Sequence, residues 1–192
     1  GQSHEAIEVF RKVPEIETCE VRAWMQLDEL YEETEQWNEL LETLEAELML
    51  SQSLEDSLNL KYRTGRLWET ELMDVVKAIE NYRAVLHEDP EHQATTEALE
   101  GLISRGENAV LAAEVLVPIY QESGEWEKLI HINHLLIEST EDPERKLALF
   151  VEVGTIYEHQ LGDQESAFST FSDAVAVDPS RDEVLDMFER LA

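Results

Sequence analysis

Three groupings in this chain hold residue types that could do chemistry. His131 and His134 stand three apart on one helical stretch, a spacing that can present two imidazoles to a metal. No nearby carboxylate or thiol completes a ligand set, and the run from Leu129 to Ile137 is otherwise apolar, so partly buried or rim histidines are expected. His87, Glu88, Asp89, Glu91 and His92 crowd around Pro90, where a solvated helix-ending turn accounts for them. Cys19 precedes an expected helix start, where a thiolate is favoured, yet no His or Lys lies close to it in sequence, so an incidental thiol is expected. Carboxylate pairs occur throughout and so single out no acid/base site. The chain has no phosphate-cradling glycine loop, no paired-histidine zinc motif and no nucleophile elbow. The expectation is a non-enzyme with no catalytic, cofactor-binding or metal-binding residues.

Charge narrows the partners. Asp and Glu number 44 against 14 Lys and Arg in 192 residues, a formal charge of −30. Binding to DNA, RNA or an anionic membrane needs clustered Lys and Arg, so none of these is expected as a partner. A hydrophobic share of 43% lifts the chain above a disordered acidic tail. One cysteine excludes an internal disulfide framework. No apolar run approaches the roughly 20 residues that span a bilayer, and no N-terminal signal pattern is present. Cytoplasm is the expected compartment. The chain opens Gly1-Gln2-Ser3 without Met, which reads as a piece cut from a longer protein.

The elements that must position any site come as a duplication. An offset of 89 residues overlays 103 positions, of which 20 are identical without a gap. A shuffled chain of this composition gives about 7. Tyr31, Trp37 and Leu40 fall on Tyr120, Trp126 and Leu129; Gly65, Asp74 and Ala78 fall on Gly154, Asp163 and Ala167; Asp89-Pro90 falls on Asp178-Pro179. Each copy carries apolar stripes at three- and four-residue steps, such as Trp37, Leu40, Leu41, Leu44 and Leu48, which is the period of an amphipathic helix. Separated by breakers at Pro14, Gly106, Gly124, Pro143, Gly162 and Pro179, the stripes predict helices over 4–13, 19–34, 36–50, 54–72, 74–88, 91–104, 108–122, 125–139, 143–161, 163–177 and 181–191. Pro118 lies inside one of them, which predicts a bent helix or one that begins at Val117.

Within each copy the second helical pair has a recognisable spacing. Gly65, Trp68, Ala78, Tyr82, Val85 and Pro90 match Gly154, Tyr157, Ala167, Phe171, Ala174 and Pro179 position for position. This small–aromatic–Ala–aromatic–small–Pro order resembles the tetratricopeptide repeat, a helix-turn-helix unit of 34 residues. It departs from that pattern by one residue inserted between the two helices and by the absence of the usual Trp near the start of the first helix. The resemblance implies an all-α fold, a right-handed superhelical solenoid of antiparallel helix pairs with about eleven helices. It implies a single domain over 1–192, with tandem units about 1–89 and 90–178 and the first helix of a further unit at 180–192.

The same resemblance implies a non-catalytic module that binds a protein or peptide on a concave face. That face would take Arg22, Met25, Glu29, Glu32 and Glu33 from the first hairpin, Asn59, Tyr62, Arg66 and Glu69 from the second, and Val151, Thr155, Glu158 and His159 from the fourth. Between Ala23 and Leu60 there is no Lys or Arg, while eleven carboxylates lie between Asp28 and Asp56 inclusive. Such a stretch offers an acidic surface to a basic segment and steers the encounter at long range. The competing readings are a spacer in a long solenoid without its own ligand, and a helical accessory domain of an enzyme whose catalytic part lies elsewhere. The helix recurring near 4–13, 91–104 and 181–191 keeps apolar residues such as Leu185, Met187 and Phe188, which predicts an array that continues, or self-association through terminal helices.

Overall fold

Four helix starts in this chain are set by side chains that satisfy free backbone N–H groups. The Ser53 hydroxyl accepts from the Asp56 N–H at 3.0 Å, Asp74 accepts from Lys77, Asp142 from Glu144 and Asp163 from Ser166. In the computed structural model, which describes residues 20–192, they open four of ten α-helices. These are α1 (Glu20–Glu33), α2 (Trp37–Leu50), α3 (Leu54–Thr70), α4 (Val75–Glu88), α5 (Gln93–Arg105), α6 (Ala109–Ser123), α7 (Trp126–Ser139), α8 (Pro143–Ile156), α9 (Gln164–Val177) and α10 (Asp182–Leu191). All regular structure among the described residues is helical, and none of these helices is long and apolar enough to cross a membrane. The fold class is all-α, built of helix pairs. The expected helix over 4–13 and Cys19 lie outside the described residues.

Two expectations about helix continuity resolve. Pro118 sits inside α6, which runs unbroken from Ala109, so the helix does not begin at Val117. The inserted residue in the Gly65 and Gly154 hairpins is taken up by wider turns. After Ile156, α8 continues as one π-helical turn over Tyr157–Leu161, and at the end of α3 the Leu72 N–H reaches back five residues to the Leu67 carbonyl at 3.0 Å.

The chain divides into two compact units, Gly1–Ala98 and Leu99–Ala192. In the first, α1 packs on α2, α2 on α3 and α3 on α4. Its core gathers Leu27, Tyr31, Leu40, Leu44, Leu60 and Leu67, with half-buried Trp24, Trp37 and Leu72 against them. In the second, α6 packs on α7, α7 on α8, α8 on α9 and α9 on α10. Leu116, Tyr120, Leu129 and Phe171 are fully buried there, Trp126 is half-buried, and Val184 of α10 joins Leu147 and Ala174. The Phe188 ring stacks on Phe168 with centroids 4.7 Å apart, so this face of α10 is partly covered by α9.

Two pairs of turns and one pair of glycine contacts, each 89 residues apart, share their backbone geometry. Glu35 and Gly124 are both left-handed, at φ 55° and 71°, as are Met73 and Gly162, at 55° and 66°. At these turns the Gln36 N–H reaches the Tyr31 carbonyl and the Glu125 N–H the Tyr120 carbonyl; Asp74 reaches Trp68 and Asp163 reaches Tyr157. Gly65 lies so close to Tyr82 that a Cβ there would stand 2.6 Å from the ring, and Gly154 has the same relation to Phe171. Only glycine lets the aromatic ring of the next helix lie flush against the backbone at these two points.

Candidate functional site

Of the residues expected on a binding face, those of α1 face solvent where their side chains are described. Glu29, Glu32 and Glu33 are exposed; the side chains of Arg22 and Met25 lie outside the described part. On α3, Asn59, Tyr62, Arg66 and Glu69 follow one another at three- and four-residue steps and share one helix face. Asn59 and Arg66 are exposed. Tyr62 is half-buried, its ring 6.0 Å from the Tyr82 centroid and 5.5 Å from that of His92. Glu69 is buried at 9% exposure, accepts from the Tyr82 hydroxyl at 2.6 Å and pairs with Arg66 at 3.2 Å. It therefore acts as an internal anchor that orients Arg66.

The remaining four lie in the second unit. Val151 is half-buried against Leu147, Ala174 and Val184, and the Thr155 hydroxyl donates to the Val151 carbonyl at 2.7 Å. Glu158 pairs with Arg190 at 2.7 Å, and His159 is exposed with Nε2 3.8 Å from Glu158. The histidines that could have done chemistry are dispersed. His131 and His134 are both exposed, and Nδ1 of His92 sits 3.3 Å from the Thr95 N–H, within the first turn of α5. Among the described residues no group of three or more His, Cys, Asp or Glu is placed to hold a metal.

The acidic stretch gains a shape that the sequence does not announce. Arg63 of α3 forks onto Asp28 of α1, donating at 2.6 and 2.7 Å, and stands 3.6 Å from Glu32. The fork holds α1 and α3 across from one another, and α2 lies beside both. Between them is a cavity of about 500 Å³ lined by Asp28, Glu47, Leu50, Asp56, Asn59 and Arg63 among others. Burial, and then the Asp28 charge, push the Glu47 carboxyl up to about 7, with Arg63 pulling the other way. The Asp28 fork, ahead of other causes, raises the Arg63 guanidinium above its ordinary value despite burial. Sequence reading found Asn59 alone of these six as a face residue. The pairing of Asp28 with Arg63 spans 35 residues and leaves no local signal.

No protein-family model matches this sequence, and no curated protein matches it. Among solved structures the chain is similar to the C-terminal part of a TPR repeat-containing protein from Cytophaga hutchinsonii, at 18% identity and a TM-score of 0.43. The match covers 99% of this chain and 65% of that one.

Proposed function

We propose that this chain is a non-catalytic protein-interaction module of tetratricopeptide-like helix pairs that engages a basic segment of a partner through an acidic face on its first three helices. The observation that carries the reading is the surface between α1 and the start of α3. Glu29, Glu32, Glu33, Glu35, Glu42, Glu45, Glu55 and Asp56 are all exposed there, in a stretch that contains no Lys or Arg. Like charges at helical spacing cost tenths of a kcal/mol per pair, so a fold gains nothing from them, whereas a basic partner does. The repeated turns at Glu35 and Gly124, and at Met73 and Gly162, together with the matching Gly65–Tyr82 and Gly154–Phe171 contacts, support a single array with 89-residue tandem units. Arrays of this kind present extended faces built from one helix of each pair. The exposed Asn59 and Arg66 and the half-buried Tyr62 on α3 would extend the surface beyond the acidic patch, and Tyr and Arg are residue types that often dominate interfaces.

The test is binding of octalysine peptide to the full chain at two ionic strengths. Affinity should fall steeply as salt rises from low to about 0.5 M, where exposed charges are screened within a few ångströms. Charge reversal at Glu29, Glu32 and Glu33 together should slow association more than it speeds dissociation. A complex indifferent to salt and to these reversals overturns the reading.

A further inference from the structure

The cavity between α1, α2 and α3 has features that neither folding nor a diffuse acidic surface requires. Oε1 of Glu47 is shut off from solvent and has no hydrogen-bond partner in the protein. A buried carboxylate oxygen left so costs free energy that a well-packed fold would avoid. The second unit shows the cheaper solution. Offset by 89 residues, Val117 stands for Asp28, Leu136 for Glu47, Ala148 for Asn59 and Arg145 for Asp56. Leu136 is fully packed at 4% exposure. The same helical frame is thus built without a carboxylate at the Glu47 position.

The charges present are unequally used. Asp28 is held by the Arg63 fork, whereas Asp56 accepts only the Ser53 hydroxyl, at 2.7 Å, besides capping α3 through that serine. Asp56 is therefore a carboxylate without a cation, and Glu47 has near it only the positive charge of Arg63, which is already forked onto Asp28. At the mouth, Leu50 lines the cavity, and Met49 and Leu54 nearby in the chain are exposed at 87% and 59%. The half-buried Glu47 and the exposed Asp56 in one lining, with large apolar side chains beside them, match one kind of group, a cation carried on an aliphatic stem. A volume of about 500 Å³ is in the range of ordinary ligand pockets and takes such a side chain together with an apolar neighbour.

We propose that this cavity seats a lysine side chain of the partner's basic segment, with its ammonium taken by Glu47 and Asp56 and its stem against Leu50. The inference rests on the acidic face being the surface for a basic segment, and it adds one specific seat within that surface. Entry of the ammonium supplies the counter-charge that burial denies Glu47, so Glu47 gives up its proton to solvent as the complex forms. The charged groups that share the lining with it are Asp28 from α1 and Asp56 and Arg63 from α3, of which Asp28 and Arg63 act on its carboxyl. Because the free Glu47 carboxyl titrates at about 7, affinity for a lysine side chain should climb with pH up to that point and then level off.

The experiment is calorimetric titration of the full chain with the peptide acetyl-GLKLG-amide and with its twin carrying norleucine in place of lysine, in two buffers of different ionisation enthalpy. The lysine peptide should bind at least about tenfold tighter than the twin and release protons near pH 6, a difference of about 1.4 kcal/mol. Glu47→Gln and Asp56→Asn should each lose most of that preference, and Glu47→Gln should also abolish the proton release while its thermal unfolding shows an intact fold. The double variant Glu122→Gln with Glu138→Gln, both exposed on the second unit and outside the acidic face and the cavity lining, should keep the preference. Equal binding of the two peptides, or equal loss in the Glu122/Glu138 variant, overturns the seat. In that event salt-sensitive octalysine binding still supports the acidic face, and its absence removes both readings.

Discussion

The Tyr82 hydroxyl donates a 2.6 Å hydrogen bond to the buried Glu69 carboxylate, while 89 residues on, Phe171 has no hydroxyl and Glu158 pairs with Arg190 instead. Both rings lie flush on a glycine, so the ring packing is common to the two hairpins and the hydroxyl is particular to one. Burial first, and then the bond to Glu69, hold the Tyr82 phenol above its ordinary range, so it stays a donor. Tyr82→Phe keeps the volume and removes one bond to a charged acceptor, a loss of about 1.5–3 kcal/mol. Urea unfolding should show it. A change below about 0.5 kcal/mol would mean that Glu69 is satisfied without the phenol.

Glu47 should make stability fall with rising pH. Its carboxyl is raised from 4.5 to about 7 in the folded chain, so between those values the folded state holds a proton that the unfolded state has lost. Stability is then highest below about 4.5, declines across the window and is constant above about 7. Full expression of the shift would be worth roughly 3 kcal/mol. The group is only partly buried, and solvent screening reduces this to about 1–2 kcal/mol. Glu47→Gln should accordingly be more stable than the parent at pH 8 by that amount and equal to it at pH 4. Parallel pH profiles for the two proteins would sink the assignment.

Asn133 is fully buried in α7, and neither its amide nitrogen nor its carbonyl oxygen has a hydrogen-bond partner in the protein. Its counterpart in the first unit is Leu44, buried at 1% exposure in the core. The nearly isosteric Asn133→Leu removes the desolvation penalty of two polar groups and should stabilise the chain by about 1–3 kcal/mol. Thermal unfolding of the variant gives the answer, and a lowered midpoint would show that the amide has a role that the packing does not reveal.

Glu35 and Met73 adopt left-handed backbone where Gly124 and Gly162 stand in the second unit. The left-handed conformation costs a residue with a Cβ about 1–2 kcal/mol, partly offset by the greater freedom glycine loses on folding. Glu35→Gly and Met73→Gly should each gain about 0.5 kcal/mol. The reverse change, Gly162→Ala, meets no atom within 4 Å, so its loss of about 1 kcal/mol would be backbone strain alone. A neutral Gly162→Ala would show that the turn relaxes.

The chain's helices were legible because their information is local. Apolar residues at three- and four-residue steps, Asp74 and Asp163 as caps, and glycine or proline between stripes act within a turn or two, and the observed ends fall within a few residues of those read from the pattern. Gly65 with Tyr82 and Gly154 with Phe171 were legible as repeated types, since a close approach between helices admits only a small residue opposite a ring. What the tertiary structure decided is which acidic residues work together. Asp28, Glu47 and Asp56 are indistinguishable from their neighbours as letters in a run of carboxylates. The Arg63 fork reaching back to Asp28 turns one of them inward, and the packing of α1, α2 and α3 shuts one oxygen of Glu47 away from water. Electrostatic energy depends on distance and solvent exposure, and in a chain folded back on itself neither follows from separation along the sequence.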